Sequence, residues 1–256
     1  MRLSVIVVTK ENKDGLSRTL RSILNQRINS TEVIIKDGLS TDGTECIVSE
    51  LEKGFSRRGC RMLFLQTADT GIYDAMNQAL KLCGDTDYTL FLNAGDCFYD
   101  HDVIENLEKI LSGLDADIVF GLTNVRILRG RSFVLKPNVF MNDFVFCHQS
   151  VLVKTELMVK TGFDITYKIA SDRDMLFSLI SEGHKTQVLN LVIADYSHDG
   201  ISSKNYDGLY SEIDLIDRKY GIKKKGHKAA VNRMKTIITS VCPVMADISF
   251  LYKRMR

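Results

Sequence analysis

Four short apolar runs, each followed by a segment with helical spacing of apolar residues, constrain the fold of this chain most strongly. The runs are rich in β-branched residues and are bounded by polar turn residues, so each is typical of a strand buried on both faces. Right-handed connections between such strands give a mostly parallel sheet covered by helices on both faces. The sequence therefore predicts an α/β fold, with strands at 3–9, 32–36, 61–66 and 88–92.

The second half of the chain is less regular. Strands are predicted at 117–122, 150–153 and 185–188, a hairpin at 125–128 and 132–136, and a helix at 172–182. No linker-like segment and no internal repeat separates this half from the first, which favours strands that continue the same sheet. We therefore expect one domain over residues 1–203 and a tail over 204–256.

The tail over 204–256 differs from the rest of the chain in charge and in pattern. It holds 12 Lys and Arg against 5 Asp and Glu, a balance of +7, whereas residues 1–203 hold 22 against 27, a balance of −5. Apolar residues recur at three- and four-residue spacing from Val231 to Met255, interrupted at Pro243, which indicates an amphipathic helix. Such a helix packs on the body, lies on an anionic membrane surface or forms a homodimer contact, and the sequence leaves these alternatives open.

Missing motifs argue against several classes of protein. No G-x-G-x-x-G follows the first strand, no phosphate loop ends in Gly-Lys-[Ser/Thr], and no G-x-S-x-G is present, which disfavours dehydrogenases, phosphate-loop nucleotidases and α/β-hydrolases. No nucleic-acid-binding motif is recognised, so no nucleic-acid partner is expected. The six cysteines lack C-x-x-C spacing, and we recognise neither a signal peptide nor a membrane-spanning run, so a reduced, cytoplasmic protein is expected.

Polar side chains follow the carboxyl ends of the four strands that are predicted to be parallel, where ligands bind in open α/β sheets. Asp96 follows the fourth strand, and its hard carboxylate oxygens suit Mg²⁺ or Mn²⁺ carrying a diphosphate. Asp37 is a hydrogen-bond acceptor that suits a base presenting an N–H, such as the N3–H of uracil; the alternative is a turn residue. Thr9 and Glu11 can position the same base, and Asp69 follows the third strand.

The segment Asp-Thr-Gly-Ile-Tyr-Asp-Ala-Met-Asn, residues 69–77, has more polar detail than a plain amphipathic helix requires. Gly71 opens the predicted helix without a bulky side chain. Asp74 and Asn77 are three residues apart and therefore share one face of the helix. The alternative for Asp74 is a first-turn carboxylate that the helix dipole favours.

Five motifs resemble, in order, those of the family 2 glycosyltransferases, and the match is close to the bacterial exopolysaccharide, O-antigen and colanic acid enzymes. The resemblance covers roughly residues 3–203. Its motifs are Ser-Val-Ile-Val-Val-Thr at 4–9, Glu-Val-Ile-Ile-Lys-Asp-Gly-Leu-Ser-Thr-Asp-Gly-Thr at 32–44, the segment 69–77, Phe-Leu-Asn-Ala-Gly-Asp at 91–96, and Gly-Phe-Asp at 162–164 with Ala-Ser-Asp at 170–172.

The resemblance implies a GT-A fold and transfer of a sugar from a nucleotide-sugar with inversion at the anomeric carbon. It implies a nucleotide-sugar-binding half over 1–100 and an acceptor-binding half over 101–203. By position, Asp37 resembles the residue that holds the base, and Asp96 the last carboxylate of an Asp-x-Asp metal motif. Asn93 stands where many members carry an earlier aspartate, so Mn²⁺ or Mg²⁺ would rest on one protein carboxylate, the diphosphate and water. The predicted nucleotide-sugar-binding residues are Thr9, Glu11, Asp37, Asp69, Asn77, Asn93, Ala94 and Gly95.

An acceptor hydroxyl must lose a proton as it attacks the anomeric carbon, which requires a base on the acceptor side. The resemblance places this base at Asp172, at the start of a predicted helix; the alternative, a helix cap, is compatible with that role. Asp174 lies about 200° around the helix axis and cannot face the same acceptor. His148 and Gln149 fit acceptor binding, and His198 could touch phosphate or metal; each histidine could instead be structural.

The sequence thus predicts an inverting, metal-dependent glycosyltransferase that uses a UDP-sugar and a lipid-linked oligosaccharide at the cytoplasmic face of the membrane. Two alternatives stay open. A nucleotidyltransferase could use the same metal site, although the Gly-rich basic loop that it needs after the first strand is absent. A catalytically silent sugar-nucleotide-binding protein is the other, because Asn93 replaces a carboxylate.

Overall fold

A computed structural model describes residues 1–27, 31–126, 131–197 and 205–222. These residues form a mixed α/β fold in which one sheet is covered by helices on both faces. The strands are β1 Leu3–Thr9, β2 Thr31–Asp37, β3 Arg61–Gln66, β4 Tyr88–Phe91, β5 Cys97–Phe98, β6 Ile118–Arg126, β7 Ser132–Leu135, β8 Val151–Lys154 and β9 Thr186–Ser197. The α-helices are α1 Lys13–Leu24, α2 Thr44–Arg57, α3 Ile72–Leu80, α4 Val103–Leu111, α5 Thr155–Thr161, α6 Ser171–Ser181 and α7 Tyr206–Lys219.

The sheet has the strand order β3-β2-β1-β4-β8-β6-β9-β5, with β7 paired to β6. The first four strands are parallel, as predicted, and β8 runs antiparallel between β4 and β6. The predicted α/β fold is therefore confirmed. Because β1 to β4 are parallel, their carboxyl ends meet at one edge, which carries most of the predicted site.

Two apolar clusters lie on opposite faces of the sheet, and alternate residues of β1 point into each. Val5 and Val7 pack with α1, α2 and α4, whereas Ile6 and Val8 pack with α3, α5, α6 and α7. Ile216 of α7 is fully buried in the second cluster. The sheet is therefore covered on both sides, which explains the continuous apolar runs of its central strands.

Two local predictions were wrong. The sequence suggests Asp14 as the N-cap of the first helix. The N-cap of α1 is instead Asn12, whose Oδ1 accepts from the backbone N–H of Gly15 at 3.1 Å, and Asp14 lies in the first turn. The predicted strand 117–122 and the first strand of the predicted hairpin, 125–128, are parts of one strand, β6, which continues to Arg126. β6 pairs with β9 along most of its length. β9 is correspondingly three times as long as predicted.

The described part of the tail contains α7, which packs on the body, and it tests none of the three alternatives given for the later amphipathic segment. The amphipathic segment 231–255 lies outside the described residues, and the boundary between 203 and 204 stays a prediction. Within the described ranges, no helix has the length and apolar character that crossing a bilayer requires.

Candidate active site

Three side chains form a row at the carboxyl edge of β1, β2 and β3. Thr9, Asp37 and Gln66 are register partners across these strands. The carboxylate of Asp37 is fully buried and accepts from Gln66 Nε2 at 2.9 Å, from the backbone N–H of Ser40 at 2.8 Å and from Ser40 Oγ at 2.5 Å. Asp37 is therefore bonded within the turn that follows β2, which is the alternative role that the sequence left open, and its contact with a base stays a prediction. The buried Oγ1 of Thr9 has no hydrogen-bond partner among the described residues, so it retains capacity for a ligand.

Glu11 ties together the two loops that follow β1 and β2. Its backbone N–H donates to Ser40 Oγ at 2.7 Å, and its Oε1 accepts from the backbone N–H of Thr41 at 2.9 Å. Glu11 and Leu39 have positive φ angles of 47° and 61°, which costs energy in residues other than glycine. Glu11 therefore shapes the predicted base-binding edge through its contacts with the second loop.

Asp69 is the partner of a fully buried lysine that the sequence reasoning did not single out. Lys36 Nζ donates to Asp69 Oδ2 at 2.8 Å and to the backbone carbonyls of Asp37 and Thr67 at 2.9 Å each. A lysine inside the apolar run of β2 was the available signal, because a buried ammonium requires a charged or hydrogen-bonding partner. Asp69, which is predicted to bind the nucleotide-sugar, thus forms a buried ion pair with Lys36 through its Oδ2 atom.

Asn77 forms a closed pair of hydrogen bonds with the backbone of Phe163. Its Nδ2 donates to the Phe163 carbonyl and its Oδ1 accepts from the Phe163 N–H, both at 2.8 Å. The two amide atoms are therefore used to join α3 to the segment that precedes α6. The prediction that Asn77 binds the nucleotide-sugar stays a prediction, and in this structure both amide atoms bond the backbone of Phe163.

The turn that carries Asp96 is held in place by α1. Thr19 Oγ1 donates to the Asp96 carbonyl at 2.6 Å and accepts from the backbone N–H of Gly95 at 2.9 Å. The φ of Gly95 is +112°, which favours glycine at this position, and Ala94 donates its N–H to the Val8 carbonyl at 3.1 Å. Gly95 and Ala94 therefore act through the shape of the turn, and Asp96 stays in a defined position beside the end of β1.

Gln149 contacts the carboxylate of Asp96 directly. Its Nε2 donates to Asp96 Oδ2 at 3.1 Å, and the side chains of both residues are almost fully buried. The amide of Gln149 therefore orients the predicted metal ligand, and a role of Gln149 in acceptor binding stays a prediction. Burial, together with the nearby carboxylates of Asp96 and Asp172, raises the pKa of the Cys147 thiol to about 12, so this cysteine stays protonated at neutral pH.

The predicted base and the predicted metal turn are joined through His148. His148 Nδ1 lies 3.4 Å from Asp172 Oδ2, and His148 Nε2 lies 3.1 Å from Asn93 Nδ2. An ionised Asp172 only accepts, so Nδ1 carries the proton and Nε2 accepts from the Asn93 amide. The Oδ1 of Asn93 is then turned away from His148, and it is buried without a hydrogen-bond partner in the described part of the chain.

Tyr73 makes the other contact with Asp172. Its hydroxyl lies 3.2 Å from Asp172 Oδ1 and donates to the Ile169 carbonyl at 2.7 Å. Burial, with a contribution from the Asp172 carboxylate, raises the pKa of Tyr73 well above its ordinary value, so the hydroxyl remains a donor. The Asp172 side chain is 18% exposed, so a substrate hydroxyl in solution has access to it.

Arg126 is a cation beside the Asp96 turn that the sequence reasoning missed. Its Nη2 lies 3.4 Å from the Gly95 carbonyl, and its Nε lies 3.2 Å from Asp195 Oδ1. The side chain is 40% exposed. Only the pairing of β6 with β9 brings Arg126 to this edge, so no local sequence signal could have identified it.

His198 lies outside the described residues. Within those residues, no group of three or more His, Cys, Asp or Glu side chains is arranged to hold a metal ion. The assignment of Asp96 as the metal ligand stays a prediction. In the described residues, Asp96 and Asp172 are linked through the adjacent residues His148 and Gln149 and through Asn93.

Solved structures with similar architecture are glycosyltransferases with the GT-A fold. S. aureus TarS 1–349 in complex with UDP-GlcNAc has a TM-score of 0.70 at 18% identity, over 90% of this chain and 69% of that one. Mannosyltransferase PcManGT from Pyrobaculum calidifontis, in complex with GDP-Man and Mn²⁺, has a TM-score of 0.66 at 17% identity, over 88% of this chain and 65% of that one. The chain spans 39% of a longer TarS structure. The predicted GT-A fold is confirmed.

The sequence comparisons identify the family. A PGL/p-HBAD biosynthesis glycosyltransferase of Mycobacterium tuberculosis is 27% identical over 227 residues, which is 86% of each chain. Residues 4–182, well over half of the chain, match the family described as glycosyl transferase family 2. The chain therefore belongs to glycosyltransferase family 2.

Proposed function

We propose that this protein transfers a sugar, with inversion, from a UDP-sugar to an acceptor hydroxyl group. One observation carries the proposal: Asp172 is accessible, held by His148 and Tyr73, and linked through His148 to the turn of Asn93 and Asp96. A carboxylate base and a metal-binding turn are the two groups that a single displacement at an anomeric carbon needs. The complex of TarS with UDP-GlcNAc supports a UDP-sugar as the donor.

The donor-side turn fits a hard divalent cation. Asp96 offers a carboxylate and Asn93 an amide oxygen with no other hydrogen-bond partner among the described residues, and both are oxygen ligands that Mn²⁺ and Mg²⁺ accept. When bound, the ion would offset the charge on the leaving diphosphate. Gln149 keeps the Asp96 carboxylate oriented, and Thr19 keeps its backbone in place.

Asp172 accepts the proton of the acceptor hydroxyl as that oxygen attacks the sugar. The backbone N–H of Arg173 donates to Oδ1 of this carboxylate at 2.9 Å, and His148 Nδ1 lies 3.4 Å from its Oδ2. Because a single displacement forms no covalent intermediate with the protein, one base and one leaving-group site are sufficient. The half-buried Cys147 takes no part as a nucleophile, since the pKa of its thiol is about 12.

Donor binding tests this proposal directly. In a thermal-shift screen of UDP-, GDP- and dTDP-sugars, we expect the largest stabilisation from a UDP-sugar with Mn²⁺, because ligand binding to the native state raises its stability. Slow hydrolysis of that donor would distinguish an enzyme from a silent binding protein. Equal shifts with all nucleotides, or no shift with any of them, would contradict the proposed donor class.

His148 offers a prediction that separates positioning from acceptor binding. His148→Asn retains a donor near the position of Nδ1, whereas His148→Gln retains a group near Nε2. If His148 holds Asp172, kcat should fall about tenfold in His148→Gln, since loss of a polar contact worth roughly 1.4 kcal/mol lowers a rate about tenfold. The decrease in kcat should be smaller in His148→Asn. If it binds the acceptor instead, the acceptor KM should rise in both variants while kcat stays unchanged. Steady-state kinetics with each substrate varied in turn decide between the two.

We further propose a lipid-linked acceptor in cell-surface polysaccharide synthesis, at the cytoplasmic face of the membrane. The +7 balance of residues 204–256 supports an anionic membrane surface as a partner. The full chain should sediment with anionic phosphatidylglycerol vesicles, less so at high salt, and not with neutral phosphatidylcholine vesicles. Undiminished sedimentation after deletion of 228–256 would contradict the assignment of this role to the tail.

A further inference from the structure

Three backbone N–H groups immediately before α6 converge on one side chain of α7. Glu212 Oε1 accepts from Lys168 at 2.7 Å, and Glu212 Oε2 accepts from Ile169 at 2.8 Å and from Ala170 at 2.9 Å. These N–H groups precede the helix whose second residue is Asp172. A carboxylate at this position satisfies donors at the start of α6 and is favoured by the dipole of that helix.

α7 also holds the residues that follow Asp172. Arg173 pairs with Asp217 at 2.8 Å, with both side chains less than 10% exposed, and its guanidinium lies 4.5 Å from the ring centre of Phe177. Lys219 Nζ contacts both carboxylate oxygens of Asp174, at 2.8 and 2.9 Å. α7 therefore contacts the residues before and after Asp172 and restrains their positions. This helix lies beyond residues 4–182, which match the family.

Tyr73 connects the Glu212 contact to the Asp172 side chain. The Tyr73 hydroxyl bonds the carbonyl of Ile169 at 2.7 Å and lies 3.2 Å from Asp172 Oδ1, while Glu212 holds the N–H of the same Ile169. A change in the position of Ile169 would therefore move the Tyr73 hydroxyl relative to the base. The orientation of Asp172 is thus set partly by a residue 40 positions later in the sequence.

We propose that Glu212 is a positioning residue for Asp172, and that α7 is part of the unit that activates the acceptor. This inference rests on the proposed function, because it assigns to Glu212 an effect on a base. Glu212 acts through Ile169 and Tyr73 and touches neither substrate. Both of its oxygens are required: glutamine has one acceptor oxygen and an NH₂ group that would face a backbone N–H, leaving at least one donor without a partner.

The test compares Glu212→Gln with Asp207→Asn in the full chain. Both substitutions remove one negative charge from α7, but Asp207 is exposed and lies in the first turn, away from this contact. We expect kcat in Glu212→Gln to fall about 10- to 100-fold, since misplacement of a reacting group by about 1 Å can cost 10²-fold. The donor KM and the thermal shift produced by UDP with Mn²⁺ should stay unchanged, and Asp207→Asn should match the wild type. Glu212→Asp, which keeps two acceptor oxygens, should recover part of the lost kcat.

Three outcomes overturn the inference. If kcat in Glu212→Gln equals that of the wild type while Asp172→Asn is inactive, the inference about Glu212 is wrong and the proposed function stands. A parallel loss of donor binding would show general loosening of the fold and would also overturn it. A wild type without transfer activity overturns the proposed function and this inference with it. If Glu212→Gln does not fold, Tyr73→Phe removes the connecting hydroxyl instead, and an unchanged kcat in that variant is the contradicting result.

Discussion

Asp172→Asn should lower the rate of sugar transfer by about 10² to 10⁴ while leaving donor binding at the wild-type level. The substitution keeps the size of the side chain, and its amide oxygen can still accept from Tyr73 or from the backbone N–H of Arg173, which is 2.9 Å from Asp172 Oδ1. It removes the capacity to take a proton from the acceptor, and it places an NH₂ group beside His148 Nδ1. The measurements are kcat for transfer and the thermal shift with UDP and Mn²⁺.

Glu182→Gln is a matched control for that experiment. Glu182 follows the last turn of α6, is exposed, accepts from Ser178 Oγ at 3.0 Å and lies 3.9 Å from His184 Nε2, so the same loss of charge occurs far from the base. Transfer in Glu182→Gln should remain at the wild-type level. If Asp172→Asn transfers sugar as fast as the control, another residue is the base and the proposed mechanism is wrong.

Asp96→Asn should abolish the part of donor binding that depends on Mn²⁺ and lower transfer by at least about 10², because a metal ion supplies several kcal/mol at the leaving group. The asparagine oxygen can still accept from Gln149, so the turn should keep its shape. A readout without catalysis is the thermal shift with UDP, measured with and without Mn²⁺. The wild type should show a larger shift when the ion is present, and the variant should not.

Asp100→Asn controls for the loss of a carboxylate near this turn. Asp100 is exposed, and its Oδ1 accepts from the backbone N–H of Asp102 at 2.9 Å, a bond that asparagine can also make. Its response to Mn²⁺ should equal that of the wild type. An unchanged Mn²⁺ response in Asp96→Asn would mean that the ion binds elsewhere or that donor binding does not use it.

The first half of the fold could be predicted because its signals are local. β1 and β4 are almost continuous apolar runs and β2 has an apolar centre at 33–35, and burial on both faces is what such runs require. The lengths of β6 and β9 could not be predicted in the same way. The polar residues Thr123 and Asn124 look like a strand end, yet Thr123 Oγ1 bonds Ser150 Oγ at 2.7 Å and Asn124 Nδ2 bonds Asp195 at 2.9 Å. These partners come from distant parts of the sequence.

The site shows the same division between local and distant information. The rule that ligands lie at strand ends directs attention to one edge of the sheet, and the structure places Thr9 and Asp96 there. The rule could not show which polar groups the protein itself uses. Asp37 and Asn77 proved to be bonded internally, and the contact between His148 and Asp172 appears only once the chain has folded.

The buried pair of Lys36 and Asp69 has a consequence for the electrostatic field at this edge. Two carboxylates, those of Asp37 and Asp69, lie beneath the predicted donor site, and the ammonium group of Lys36 contacts one of them and the backbone of the other. The three groups together carry a net charge of −1, which is half that of the two carboxylates alone. Because Coulomb repulsion scales with net charge, an approaching anion meets about half the opposing potential from these residues. Acidic side chains can therefore shape the strand ends here without creating a surface that strongly repels a diphosphate.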